Sequence, residues 1–312
     1  MDYTLLHSAL AAPLPTPSTT STTSTLASSS SSLLPTLEES EATSVFIFDS
    51  VLTSDSSRLI TSLSNHEICT WNSTTLAPVS RFAAHGARIT DIQAGSSSQP
   101  HLLASCAADG TASLWDLRTS STVLTVQRPG GGGTVHSVAL GCDDTLMATG
   151  SKDGAHFYDI RGGGTLLGEY VESHSDDVLC VRFHPNKPTI LMTGGADGLA
   201  CVFNVAVNGE DEALMTVCNA QSDVIDVKSL DGDDVLCCQT SVETLCLFRI
   251  SDGQCVANWN NFRAAISQSC GCDHVDYVVS TYYDYAQSQM HALVGTFAGD
   301  LLDVGLNGDG TI

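Results

Sequence analysis

The chain has 312 residues, 42% of them apolar, and sets 12 lysines and arginines against 35 aspartates and glutamates, for a formal charge of −23. Phosphate binding needs clustered cations, so this balance argues against a nucleic-acid or anionic-membrane partner and favours basic ones. No run of 18 apolar residues argues for a membrane span, and Met1-Asp2-Tyr3 lacks the positive opening of a secretory signal.

Residues 1–43 form a compositional block of their own, because Thr16–Ser32 is nearly all Ser, Thr and Pro. Such a stretch cannot bury enough apolar surface to offset its ordering entropy, so the block reads as a disordered tail. Its hydroxyls permit phosphorylation; a plain linker is the simpler reading.

From residue 44 onward the pattern is all-β. Short alternating strands, such as Ser44–Phe48, Arg58–Leu63, Thr111–Asp116 and Leu199–Asn204, are divided by Asp-Gly, Asn and Ser turns. No stretch sustains helical periodicity over about 12 residues. Strand ends recur as Trp71-Asn72, Trp115-Asp116, Tyr158-Asp159, Phe203-Asn204, Phe248-Arg249 and, most weakly, Val304-Gly305. The steps between them are 44, 43, 45, 45 and 56 residues. A period of about 40–45 residues ending in Trp-Asp marks a four-stranded β-propeller blade. The expected blades are 44–84, 85–130, 131–173, 174–219, 220–261 and 262–312, the last stretched by an insertion around Ser267–Asp276. Its strands would be Tyr277–Tyr283, Met290–Thr296 and Leu301–Leu306.

Twelve cysteines are too few for a disulfide scaffold of this length. Cys69, Cys106, Cys180, Cys201, Cys237, Cys238 and Cys246 fall inside strand-like runs and read as small buried apolar residues. That usage places the chain in the cytoplasm or nucleus.

The second and fourth units, with "AAHGARITDIQAG…HLLASCAADGTASLWDLR" as the clearest, resemble WD40 repeats, and the resemblance covers residues 44–312. It implies a buried hydrogen-bond chain in each blade, from a Trp indole through a Ser or Thr hydroxyl to a His that meets an Asp. His85, Ser105, Asp109 and Trp115 fit that spacing fully. His174, Thr193 and Asp197 fit with Phe203 in place of the Trp. The first unit offers Thr61, Asn65 and Trp71 without a His. The third offers Thr149 and Asp153, with Gly131 at the His position and a one-residue deletion before Tyr158. A Ser, a His and an Asp in reach of one another invite a hydrolase reading. A nucleophile needs exposure and an oxyanion hole, whereas the repeat buries this chain, so the three residues read as structural.

Glu172–Ala220 and Asp276–Leu306 resemble a narrower branch of the family, whose members imply a propeller of about seven blades. No defined activity comes with it. Against that pattern the chain stops just past the third strand of its sixth unit, and a truncated product is expected in preference to a strained six-bladed closure. Closure by self-association is the third possibility.

Leu114-Trp115-Asp116-Leu117-Arg118 and, more loosely, Phe157-Tyr158-Asp159-Ile160-Arg161 resemble the box by which some WD40 propellers dock onto the adaptor of cullin-4 ubiquitin ligases. Trp115, Asp116, Arg118, Tyr158, Asp159 and Arg161 are the candidate docking residues, each Arg a bidentate donor. Cys270-Gly271-Cys272-Asp273-His274 has metal-like letters but no second Cys pair, and reads as a loop with free thiols. Gly130–Gly133 and Gly162–Gly164 lack the Lys and helix of a phosphate-binding loop. Asn72-Ser73-Thr74 is formally a glycosylation sequon, irrelevant in a cytosolic protein. Glu172, Asp176 and Asp177, with Asp231, Asp233 and Asp234, could line an acidic rim for basic peptides or simply be solvated loops. No cofactor, metal or catalytic residue is expected. The best reading is a non-catalytic protein-interaction scaffold; a cullin-4 substrate receptor and an acidic chaperone for basic proteins follow in that order.

Overall fold

A computed structural model of the chain describes residues 45–230, 234–260, 266, 275–284, 289–297 and 299–306. The tail at 1–43, the Cys270–His274 run, Asp231 and Asp233 lie outside them.

The described residues form a six-bladed β-propeller. Blade one comprises β1 (Ile47–Leu52), β2 (Arg58–Leu63), β3 (Glu67–Asn72) and β4 (Pro78–Ala83). Blade two holds β5 (Ile89–Ala94), β6 (Leu102–Ala107), β7 (Thr111–Asp116) and β8 (Ser121–Gln127). Blade three is β9 (Val135–Gly141), β10 (Leu146–Ser151), β11 (Gly154–Asp159) and β12 (Thr165–Tyr170). Blade four is β13 (Val178–Phe183), β14 (Ile190–Gly195), β15 (Leu199–Asn204) and β16 (Leu214–Asn219), with a one-turn helix α1 (Glu210–Ala213) before its last strand. Blade five is β17 (Val224–Leu230), β18 (Val235–Thr240), β19 (Leu245–Arg249) and β20 (Cys255–Trp259). Blade six has β21 (Tyr277–Asp284), β22 (Gln289–Gly295) and β23 (Leu301–Leu306). Each sheet is antiparallel, with its strands in chain order.

The innermost strands β1, β5, β9, β13 and β17 lie against one another in succession. Second strands such as β6 and β14 are buried along their whole length, so they read as apolar runs without alternation. Two irregularities repeat. The first two strands of every blade shift register near their start, as at Ile89/Asp91 and Val178/Cys180. In blades one to five the last two strands shift again at the aromatic position, as at Leu114/Trp115 and Val202/Phe203. A bulge bends and twists its strand, so the aromatic–polar dipeptide sits where each outer strand turns away.

Three strand expectations need correction. The first strand begins at Ile47 rather than Ser44, because residues 45–46 precede the β1–β2 ladder. The sixth unit's hairpin is formed by Tyr277–Asp284 and Gln289–Gly295, and Val304-Gly305 lies inside β23 instead of closing it.

Candidate interaction surfaces

In blade two the Trp115 indole N–H donates to Ser105 Oγ at 2.8 Å, and Ser105 Oγ lies 2.7 Å from His85 Nε2. The next link departs from the family pattern. His85 Nδ1 is 3.6 Å from Asp109 Oδ2 but only 2.9 Å from Thr111 Oγ1. Thr111 in turn donates to Asp109 Oδ1 at 2.6 Å. Asp109 also accepts the backbone N–H of Gly86 and of Thr111. Burial opposes ionisation of Asp109, but these hydrogen bonds outweigh it and hold its carboxyl below the ordinary value. Burial likewise depresses His85, so the imidazole is neutral at pH 7. Thr111 was missed because a threonine directly after an Asp-Gly turn looks like any strand opener.

Blade four makes the direct link. His174 Nδ1 stands 3.2 Å from both Asp197 oxygens, and His174 Nε2 2.7 Å from Thr193 Oγ1. Phe203, 1% exposed, fills the Trp site and has no indole N–H to offer the hydroxyl, which among the described residues meets His174. Gly195 is required here: a Cβ would come within 2.5 Å of both His174 Nδ1 and Asp197 Oδ1.

In blade one Trp71 donates to Thr61 Oγ1 at 2.9 Å. Asn65 does not join them; its amide donates to Glu67 at 2.6 Å on the exposed turn. In blade three, with Gly131 at the His position, Arg128 bonds Asp153 and donates from Nε to Gly132 O at 2.8 Å. Tyr158 OH donates to Gln127 O at 3.4 Å.

Trp115 and Tyr158 are buried, at 5% and 3% exposure, so a docking partner would meet only the polar ends of those boxes. The Arg118 side chain is 65% exposed and forks onto its own Asp116, Nη2 to Oδ2 at 2.6 Å. That hydrogen bonding to Arg118 holds Asp116 down at about 2. Asp159 accepts the Arg161 backbone N–H at 2.9 Å, and Arg161 is exposed. Of the acidic rim, Asp177 lies 3.1 Å from His136 Nε2, and Asp234 accepts from Ser251. Glu172 and Asp176 are exposed.

A second network, along the innermost strands, carries no local sequence signal. Ser137 Oγ donates to Asp91 Oδ2 at 2.6 Å, and Asp91 also accepts the N–H of Val138 in the next blade. Ser137 accepts the N–H of Val181 one blade further on. Arg182 grips Asp91 from two blades away and lies 3.9 Å from Asp226, which pairs with Lys228 at 3.1 Å. Asp49, nearby on β1, is pushed up to about 6, first by burial and then by the Asp91 charge.

Several comparisons bear on this geometry. A family model described as WD domain, G-beta repeat matches residues 76–116 and 164–204. The WD repeat-containing protein GTS1 of Arabidopsis thaliana is 31% identical over 81% of this chain and 65% of its own length. The WD repeat-containing protein 89 homolog of Dictyostelium discoideum is 26% identical over 63% of this chain and 54% of its own. The chain thus spans between about half and two thirds of the relatives it matches. A chain from a crystal structure titled Mitotic Checkpoint Complex superposes with a TM-score of 0.66, at 16% identity, over 84% of this chain and 74% of that one.

Proposed function

The chain is a WD40-repeat β-propeller, and from that premise we propose that it acts as a protein-interaction scaffold with no chemistry of its own. The observation that carries this reading is the state of Ser105. It is 0% exposed and held between Trp115 and His85, so the one complete Ser-His-Asp set is consumed by the fold. Relatives carrying the same repeats, and a structural neighbour solved within a protein complex, support the reading. Basic protein partners suit the charge of −23. Ten described cysteines are free thiols, which suits residence in the cytoplasm or nucleus.

A second reading, a substrate receptor of a cullin-4 ubiquitin ligase, is favoured by one observation: Arg118 and Arg161 project from equivalent turns of adjacent blades. To engage a partner carboxylate, Arg118 must release Asp116. A chaperone for basic proteins would instead bind through diffuse charge and weaken steeply above physiological salt.

The test is affinity capture from cells with mass spectrometry, comparing the chain with an Arg118→Ala/Arg161→Ala variant of matched expression. Capture of the cullin-4 adaptor by the parent alone establishes the receptor reading. Other proteins retained by both, without the adaptor, establish the scaffold and end the docking idea. Recovery of nothing but chaperones from both removes the scaffold reading as well.

A further inference from the structure

A groove between blades one and two opens into a cavity of about 300 Å3. Strand alternation builds it: Thr111, Ser113 and Trp115 of β7 face blade one, while Ala112 and Leu114 pack against blade three. On β8, Thr125 pairs with Ser113 and Thr122 with Trp115. Across the groove the chain leaves blade one through Ala83 and Ala84, whose single methyl groups leave the space unfilled. In blade four, where Ser173 precedes His174 as Ala84 precedes His85, the corresponding corner is roofed. There the connection between the third and fourth strands, residues 205–213, lays Glu210 on the N–H groups of Val171, Glu172 and Ser173. In blade two that connection is only residues 117–120, and the groove stays open.

Asp109 is the one ionised side chain that lines this cavity, because burial keeps the His85 imidazole beside it neutral. Its two oxygens are not equivalent. Oδ1 already takes the Thr111 N–H at 3.0 Å and the Thr111 hydroxyl at 2.6 Å. Among the described residues Oδ2 takes only the Gly86 N–H, at 2.9 Å, with His85 Nδ1 out at 3.6 Å. A Cβ added to Gly86 would meet nothing but this oxygen, at 3.6 Å, so Oδ2 stands open on that side. Hydroxyls supply further acceptors. Ser113 and Thr125 bond each other at 2.9 Å, which leaves lone pairs on both, and Thr122 lies exposed at the rim.

One open carboxylate oxygen among hydroxyls matches an ammonium, a point charge with three donors. A guanidinium fork seeks both oxygens of a carboxylate, and here Oδ1 is taken. The volume sits at the lower limit of small-molecule pockets, about 300 Å3, and suits a single side chain whose methylenes lie along Trp115. We infer that this cavity binds the side chain of a lysine on a partner protein, with the ammonium on Asp109 Oδ2. The inference rests on the scaffold reading and gives that scaffold a specific recognition point.

The experiment is an NMR titration of the full chain with Nα-acetyl-lysine N-methylamide, read at the Trp115 indole N–H and at the Gly86 and Thr111 amides. The norleucine and arginine counterparts are the controls. The expected result is a saturable movement with the lysine compound, none with norleucine, and at least fivefold weaker binding with arginine. Gly86→Leu keeps its N–H, needs no left-handed backbone and covers Oδ2, so it should weaken binding at least tenfold at an unchanged melting temperature. Thr122→Trp, which fills the cavity from its exposed rim, should act likewise. Asp109→Asn should also weaken binding by removing the charge, and the other two variants decide the matter if it proves unstable. Equal movement with norleucine would show apolar filling, and equal movement with arginine attraction by charge alone; either overturns the proposal. So would binding that neither Gly86→Leu nor Thr122→Trp alters, or a folded parent whose signals do not move. Affinity capture keeps the two readings apart: if Gly86→Leu recovers the same cellular proteins as the parent, the scaffold stands and the cavity is not its recognition point.

Discussion

Arg182 of the fourth blade reaches across the third to grip Asp91 of the second, with Nη1 2.7 Å from Oδ2 and Nη2 3.2 Å from Oδ1. Asp91 is 5% exposed, and the same guanidinium lies 2.9 Å from Ser137 Oγ between them. Three blades that are separate sheets are thereby tied at the axis. Removing one partner of such a pair leaves the other charge buried and unmatched, a loss of about 3–5 kcal/mol. Arg182→Leu should therefore lower the urea midpoint sharply, and adding Asp91→Ala should restore much of it. If the double variant is no more stable than Arg182→Leu, the two residues are not coupled as the geometry requires.

Asp49 makes the opposite prediction. Its carboxyl is raised to about 6 by burial and by Asp91, well above the ordinary 3.8. Between those two values the folded chain binds more protons than the unfolded one, so this group's contribution to stability falls as pH rises from about 4 to 6. Above pH 6 the ionised Asp49 is a standing cost on the order of 1–3 kcal/mol. Asp49→Asn should raise the melting temperature at pH 7.5 and narrow the gap between pH 5 and pH 7.5. A lower melting temperature at pH 7.5 would mean that the attraction of the Arg182 charge outweighs its burial.

These axial contacts show where the sequence runs silent. The blade period was legible because Trp71, Trp115, Tyr158, Phe203 and Phe248 all stand next to last in third strands, one blade apart. His85, Ser105 and Trp115 were legible because a repeat fixes their separations. Asp91, Ser137 and Arg182 are 46 and 45 residues apart in succession, and they meet only because successive innermost strands surround one axis. No local periodicity encodes that meeting. Arg128 illustrates the other limit: it bonds Asp153 from just past the end of the preceding blade's outer strand, so the absence of a His in the third unit did not announce its substitute. Asn65 erred the other way, since a family position matched by letter turned outward to Glu67.

The Ser105 chain predicts a loss of stability without a loss of chemistry. Ser105→Ala removes the acceptor of the Trp115 indole and the partner of His85, both buried, at about 1–3 kcal/mol for each group left unpaired. Asp109→Ala should also destabilise, because Gly86 and Thr111 lose their acceptor. The check is thermal melting alongside a broad esterase and peptidase screen of the parent. Activity that disappears in Ser105→Ala at an unchanged melting temperature would overturn the structural reading of this set.

Glu210 holds the approach to the other His–Asp pair. Its carboxylate accepts three successive backbone N–H groups, from Val171 at 2.7 Å, Glu172 at 3.0 Å and Ser173 at 2.7 Å. Burial pushes its proton affinity up, but the hydrogen bonds from Ser173 and its neighbours win and hold the carboxyl below the ordinary value of 4.5. A depressed folded value means stability that is complete above the unfolded value and is lost as pH falls through the folded one. Asp109 and Asp197 are shifted the same way, so all three contribute to one acid limb. Glu210→Gln should cost about 1–2 kcal/mol at pH 7 and make the fall in stability below pH 4.5 shallower. Because His174 follows Ser173 directly, loosening this clasp should also disturb the imidazole that bridges Asp197 and Thr193. An imidazole NMR signal for His174 unchanged in Glu210→Gln, together with an unaltered acid limb, would show that the clasp is incidental to both.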